Sequence, residues 1–213
     1  METQLEEREV TRASYSVTVS TNTLRELLEG TITHAHKGED LPVLNSVLLA
    51  APIVTQDLLP GRLIAAATDR YRLIEGSINL AAEGHLPATL IRVGDIKKIL
   101  TMIKGDKSHQ TTVSIHRAGD TVTVGHLGQG LVFQTFDGTF PPYAHLFPTQ
   151  DQAVEPMGQI IFNPALFADY AKIAGKKQGV KITFYGEKKP MGISFPNHTV
   201  VTWNAMLMPM KIY

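Results

Sequence analysis

Tyr15-Ser16-Val17-Thr18-Val19 alternates apolar and polar side chains, the period of a half-buried strand. Ser20-Thr21-Asn22-Thr23 follows, with Glu26 three residues after Thr23, which is a capping-box pattern. Leu24, Leu27, Leu28 and Ile32 then recur at helical spacing. The same order returns twice. Thr89-Leu90-Ile91-Arg92-Val93 leads through Gly94-Asp95 into Ile96, Ile99, Leu100 and Ile103 on one helix face. Gln159-Ile160-Ile161-Phe162 leads through Asn163-Pro164 into Leu166, Phe167, Tyr170 and Ile173. Pro164 suits a first helical position, where its missing N–H would have no partner anyway.

Strands are expected after each helix. They are Val43–Ala50, Leu63–Ala67 and Leu73–Leu80, then Thr112–His116, Thr121–Val124 and Leu131–Phe136, then Val180–Phe184, Gly192–Phe195 and Thr199–Met206. Ala118-Gly119-Asp120, Gly128-Gln129-Gly130, Gly186-Glu187 and Pro196-Asn197 mark hairpin turns between them. The fold class is α+β: three strand-helix-strand-strand-strand units, with 74 residues from Val19 to Val93 and 69 from Val93 to Phe162. Residues 1–14 read as a flexible acidic tail, 15–149 as two units, 150–156 as a polar linker and 157–213 as a third unit.

Composition narrows the function. The chain has 213 residues, 43% apolar and 19% charged, which is ordinary for a folded protein. Cysteine is absent, so disulfides, thiolate metal sites and cysteine nucleophiles are excluded. Twenty basic residues balance twenty acidic ones, so a globally basic nucleic-acid coat is excluded, though a local basic face is not. The acidic start has no apolar signal core, and Leu41–Val54 is too short and too interrupted to span a bilayer. A cytoplasmic protein without a membrane partner is expected.

Catalytic patterns are missing. His34 and His36 are two apart and point to different helix faces, so they read as solvated or capping groups. Gly125–Gly130 is glycine-rich but lies between strands, whereas a phosphate loop opens a helix. Asp69 reads as a paired structural carboxylate at a strand end. No metal, cofactor or enzymatic activity is expected.

Two features invite a binding role. Lys97, Lys98, Lys104 and Lys107 outnumber Asp95 and Asp106 on the second helix, and Lys172, Lys176 and Lys177 outnumber Asp169 on the third. They read either as solvated helix faces or as a lysine row facing phosphates without reading sequence. Arg25 and Lys37 on the first helix are offset by Glu26 and Glu29. The ending, Met206-Leu207-Met208-Pro209-Met210, reads either as core or as an adaptable apolar surface.

At this point the sequence resembles a known family, the bacterial sliding clamp or beta subunit of DNA polymerase III. The resemblance rests on Leu44-Asn45-Ser46-Val47-Leu48 with Ala67-Thr68-Asp69-Arg70-Tyr71-Arg72-Leu73. It rests also on Phe136-Asp137-Gly138-Thr139-Phe140-Pro141-Pro142-Tyr143 and on Leu207-Met208-Pro209-Met210-Lys211. It implies the DNA-clamp fold, with antiparallel sheets outside and helices inside. In that family each domain is two units, three domains make a subunit, and two subunits close a ring lined by twelve helices. Residues 15–149 resemble the complete middle domain and 157–213 the second half of the last. The first domain and the first half of the last have no counterpart.

The resemblance also implies a site. Clamps hold short linear motifs in an apolar pocket between the middle and last domains. The matching positions are Leu44, Thr68, Arg70, Tyr71, Leu73, Pro141, Leu146, Pro190, Met206, Met208, Pro209 and Met210. Lys97, Lys98, Lys104, Lys172, Lys176 and Lys177, with Arg25, would face double-stranded DNA. Partners would be a DNA polymerase, a clamp loader and other clamp-binding-motif proteins. Twelve helices at three per chain give a homotetrameric ring, in a chain of the minimal kind that suits a phage. The other reading is a module that forms no ring and sequesters clamp-binding motifs, as decoy or adaptor.

Overall fold

Leading strands are exchanged between the first two units. The computed structural model describes residues 13–52, 61–106, 110–136, 138–147, 152–153, 160–175, 178–186, 188–198 and 200–210. The first unit contributes β1 (Ser14–Ser20), α1 (Thr21–Ile32), β2 (Ser46–Ala51), β3 (Arg62–Thr68) and β4 (Arg72–Asn79). The second contributes β5 (Leu86–Arg92), α2 (Val93–Ile103), β6 (Thr112–Ala118), β7 (Thr121–His126) and β8 (Gln129–Gln134). β1 pairs with β6 of the second unit, and β5 pairs with β2 of the first, both antiparallel. Neither unit can therefore complete its sheet alone.

The third unit contributes α3 (Pro164–Ala174), β9 (Lys181–Thr183), β10 (Met191–Ser194) and β11 (Thr202–Leu207). β11 pairs antiparallel with β4 from Thr202↔Ser77 to Leu207↔Arg72. The result is a seven-stranded sheet, β5-β2-β3-β4-β11-β10-β9, beside a four-stranded sheet, β1-β6-β7-β8. One core joins the inner faces of both sheets to the three helices, through Leu24, Leu27, Ile96, Ile99, Tyr170 and Trp203 among others. Close approach at the junction depends on glycine. A Cβ on Gly76 of β4 would lie 2.5 Å from the Trp203 ring, and so would one on Gly30 of α1.

Several expectations need correction. Ile160–Phe162 forms no strand. The leading strands of the first two units pair with each other's sheets, and the third unit has no such counterpart. Ile161 instead accepts one backbone hydrogen bond, from Met210 N at 2.8 Å. α1 begins at Thr21, with Ser20 as an N-cap that makes no side-chain bond. Glu26 is not a capping-box partner but meets His198 at 2.7 Å. α3 starts as expected, with Asn163 Oδ1 accepting from Ala165 N at 2.9 Å and Pro164 in the first turn. Ser14 belongs to β1 rather than to the tail. The turn before β8 sits at Leu127 and Gly128, both at positive φ, one step before the expected triplet. Residues 1–12, Lys107, Asp137, Gln159, Lys176, Lys177, Lys211, Ile212 and the linker except Gln152 and Ala153 lie outside the described residues.

Candidate functional site

The antiparallel register assembles one row of side chains. Thr68 stands opposite Leu73, Leu73 opposite Met206, and Met206 opposite Gly192, across β3, β4, β11 and β10. Successive strand residues face opposite sides. Ile74, Gly76, Trp203 and Ala205 face the helices, so Thr68, Leu73 and Met206 share the outer face. Gly192 leaves room there for the Tyr185 ring, 3.1 Å from where its Cβ would be. Tyr185 adjoins the row and no sequence signal marks it.

The turn between β3 and β4 sets the rim. Asp69 Oδ1 accepts from Tyr71 N and Arg72 N, both at 3.1 Å, and Thr68 Oγ1 donates to the Arg72 carbonyl at 2.7 Å. Arg70 is held at φ 77°, a left-handed conformation uncommon for a non-glycine residue. This turn throws Tyr71 out to 65% exposure. Met208 N donates to the Tyr71 carbonyl at 2.9 Å, which carries the β4–β11 junction past the strand end. Met208, Met210 and Leu146 are also exposed apolar side chains.

The segment 138–147 runs over the same outer face. Phe140 packs with Ala66 and Leu90, against Val43, Leu48, Phe136 and Tyr143. Burial pushes the Tyr143 phenol above its ordinary pKa, and its hydrogen bond to Glu75 pushes it further. Glu75 is two residues from Leu73 on that face, so this bond ties the segment to the row. A groove of about 660 Å³ lies between Leu48, Leu90, Phe140, Pro141, Tyr143 and His145. Of the twelve expected pocket residues only Pro141 lines it. Leu44 lies in the turn before β2, and Pro190 just before β10. Pro209 is half-buried between the two exposed methionines.

Arg72 fastens α3 behind this face. It is 3% exposed, and its guanidinium donates to Asp69 Oδ2 at 3.0 Å and Asp169 Oδ2 at 2.7 Å. It donates also to the carbonyls of Leu166 (2.9 Å) and Thr33 (2.7 Å). One side chain thus joins the pocket turn, the end of α1 and α3. Burial alone would raise the Asp169 pKa, but hydrogen bonds from Lys172 and Arg72 outweigh it and hold the carboxyl below its ordinary range. The Tyr170 hydroxyl donates to the Met206 carbonyl at 3.0 Å, bracing β11 from the inner side.

His34 was expected to be solvated or capping; it is not solvated, but it does cap the last turn of α1. It is buried, with its ring 4.9 Å from that of Tyr170. Burial, with help from the Arg72 charge, lowers its pKa from 6.5 to about 3. Its Nδ1 lies 3.2 Å from the Gly30 carbonyl, and Nε2 has no hydrogen-bond partner among the described residues. A neutral ring with its proton on Nδ1 suits both observations.

Lys97, Lys98, Lys104 and Lys172 are exposed on α2, just beyond it and on α3. Lys98 pairs with Asp95 at 2.7 Å, and Lys172 with Asp169 at 2.6 Å. Arg25 departs from the expected DNA-facing set. Its Nη2 donates to the Ile103 carbonyl at 2.8 Å and to the Asp106 carbonyl, so its charge serves the C-terminal end of α2. Among the described residues no cluster fits a metal ion, and no helix is long and apolar enough to cross a membrane.

Two units with exchanged leading strands, extended by a third unit through an antiparallel junction, define the DNA sliding-clamp fold. Solved bacterial DNA polymerase III beta subunits share it. The Thermotoga maritima beta subunit superposes with a TM-score of 0.76 at 17% identity, covering 98% of this chain and 69% of that one. The Caulobacter crescentus sliding clamp gives 0.76 at 18% identity over 99% and 69%. The Bacillus subtilis clamp gives 0.72 at 17% identity over 100% and 67%. The chain therefore spans about two thirds of each clamp subunit. Neither a family model nor a curated protein matches the sequence.

Proposed function

We propose that this chain is a DNA sliding clamp, a processivity factor that surrounds duplex DNA in the cytoplasm as a homotetrameric ring. On its outer face it holds linear motifs of a polymerase, a clamp loader and other replication proteins. The observation that carries this reading is the shared row of Thr68, Leu73 and Met206, rimmed by Tyr71 and Met208, at the junction of two clamp-like parts. An apolar row with exposed, deformable methionines at its margin suits a short apolar motif anchored by a few side chains.

Fluorescence anisotropy with a labelled clamp-binding-motif peptide tests the pocket. Met208→Ala and Leu73→Ala are each expected to weaken binding at least about fivefold, or ~1 kcal/mol. Met208 is exposed, so its truncation should leave the fold intact; Leu73 is buried, so its variant also needs a matching circular dichroism spectrum. Unchanged affinity in both variants would remove the pocket.

A further inference from the structure

Four strands border the two sheets among the described residues: β1 and β8 on one, β5 and β9 on the other. A bare strand edge is a template for another strand, and folded proteins normally blunt it with charge, proline, shortness or cover. β1 and β5 cover each other, bridged at Ser16↔His85, and β5 also carries Pro87 and Arg92. β9 has only three residues and opens on the exposed Lys181. Among the described residues β8 has none of these devices. Its six residues, Gln129-Gly130-Leu131-Val132-Phe133-Gln134, include no charge and no proline, and Val132 is 67% exposed.

The repeat shows what covers such a strand. β8 ends the second unit as β4 ends the first. β4 is covered by β11, the last strand of the third unit, in an antiparallel ladder of six pairs. We infer that β8 is covered by β8 of a second copy of this chain, in a two-fold antiparallel pairing that continues the four-stranded sheet into its partner. A dyad makes identical strands antiparallel, as every ladder within the chain is. An uncharged strand meets its own copy without like-charge repulsion. Beside the edge, a groove of about 430 Å³ between α2 and β8 is floored by Met102 and Leu131 and carries Lys97 and Lys98 on its α2 side. The matching space between α1 and β4 is filled by Trp203.

The inference rests on the clamp reading for its purpose and specifies one interface that such a ring would use. The chain has no cysteine, so each introduced one is a unique probe. Gly130, Val132 and Gln134 share the outer face of β8, opposite Gly125, Thr123 and Thr121. Facing residues across an antiparallel pair lie about 4.5–5.5 Å apart at Cβ, close enough to the disulfide range for the position nearest the dyad to bond to itself. The full chain would be made as Gly130→Cys, Val132→Cys, Gln134→Cys and, on β9, Lys181→Cys, then oxidised mildly and weighed by light scattering. A covalent dimer of twice 23.4 kDa from a β8 position but not from Lys181→Cys is expected. Val132→Glu should shift the native mass downward. An oligomer that no β8 cysteine links, or that only Lys181→Cys links, overturns the β8 pairing while leaving the clamp reading intact. A monomer at every concentration overturns both the pairing and the self-assembled ring, and peptide affinity then reports on the pocket separately.

Discussion

Arg72 and His34 show how single residues fix the relation between parts. Arg72 binds two carboxylates and two carbonyls at the point where α1, the β3–β4 turn and α3 meet. A buried guanidinium is tolerated only when its donors are met, and here the four partners come from three segments. His34 lies against the same arrangement and is kept neutral by burial and by the Arg72 charge. An unfolded histidine takes up a proton near pH 6.5, whereas His34 in the folded chain does so only near pH 3. Between these values the unfolded state binds the extra proton. Stability contributed here is therefore fully present above about pH 6.5 and falls as pH is lowered, by about 1.4 kcal/mol per pH unit. Urea unfolding of the native chain and of His34→Leu between pH 7 and pH 4 should show the steeper loss in the native chain. Parallel pH profiles would mean that His34 is protonated in the fold. The sequence quotes Arg72 within the turn motif, but its partners lie up to 97 positions away (Asp169), and no local spacing encodes that reach.

At the level of elements, helices were the most legible part. Leu24, Leu27 and Leu28, and likewise Ile96, Ile99 and Ile103, were placed on buried faces by their 3.6-residue period, and they are buried. Strand ends were less legible: β4 opens at Arg72, one residue before the expected Leu73, and β2 opens at Ser46, three residues after the expected Val43. The strand expected at Gln159–Phe162 failed for a reason no local pattern contains: a leading strand needs another unit's sheet. The row of Thr68, Leu73 and Met206 was legible only through the resemblance, since register across β4 and β11 is a long-range fact. Glycine at that junction has a definite duty. Gly76→Ala would place a methyl 2.5 Å from the Trp203 ring and 2.6 Å from Leu27 Cδ1. It should destabilise the chain by about 1–3 kcal/mol through overpacking. Gly94→Ala is the control, because a Cβ there meets nothing within 4 Å. Thermal melts that rank Gly94→Ala as the more damaging change would refute this account of the junction.

For the whole molecule the question is where a neutral chain would meet DNA. Acidic and basic residues are equal in number, so long-range attraction of the entire surface is absent. Attraction has to come from a local row of cations. α1 contributes little to it, with Glu26 and Glu29 on its surface and Arg25 turned to the end of α2. α3 offers Lys172, but that lysine holds the Asp169 carboxylate beside Arg72, so reversing its charge would also disturb the junction. Lys97, Lys98 and Lys104 are the cleaner test: all three are exposed, and among the described residues only Lys98 has an acidic partner, Asp95. Each lysine that neutralises a phosphate steepens the salt dependence of binding by about 0.9 in log–log slope. Lys97→Glu, Lys98→Glu and Lys104→Glu together should therefore flatten the slope for retention on nicked circular duplex by roughly 3 if all three face phosphates. Peptide binding, on the opposite side of the sheet, should be unchanged. If the slope stays the same while peptide affinity falls, the lysines of α2 do not face DNA, and the basic row belongs to a protein partner.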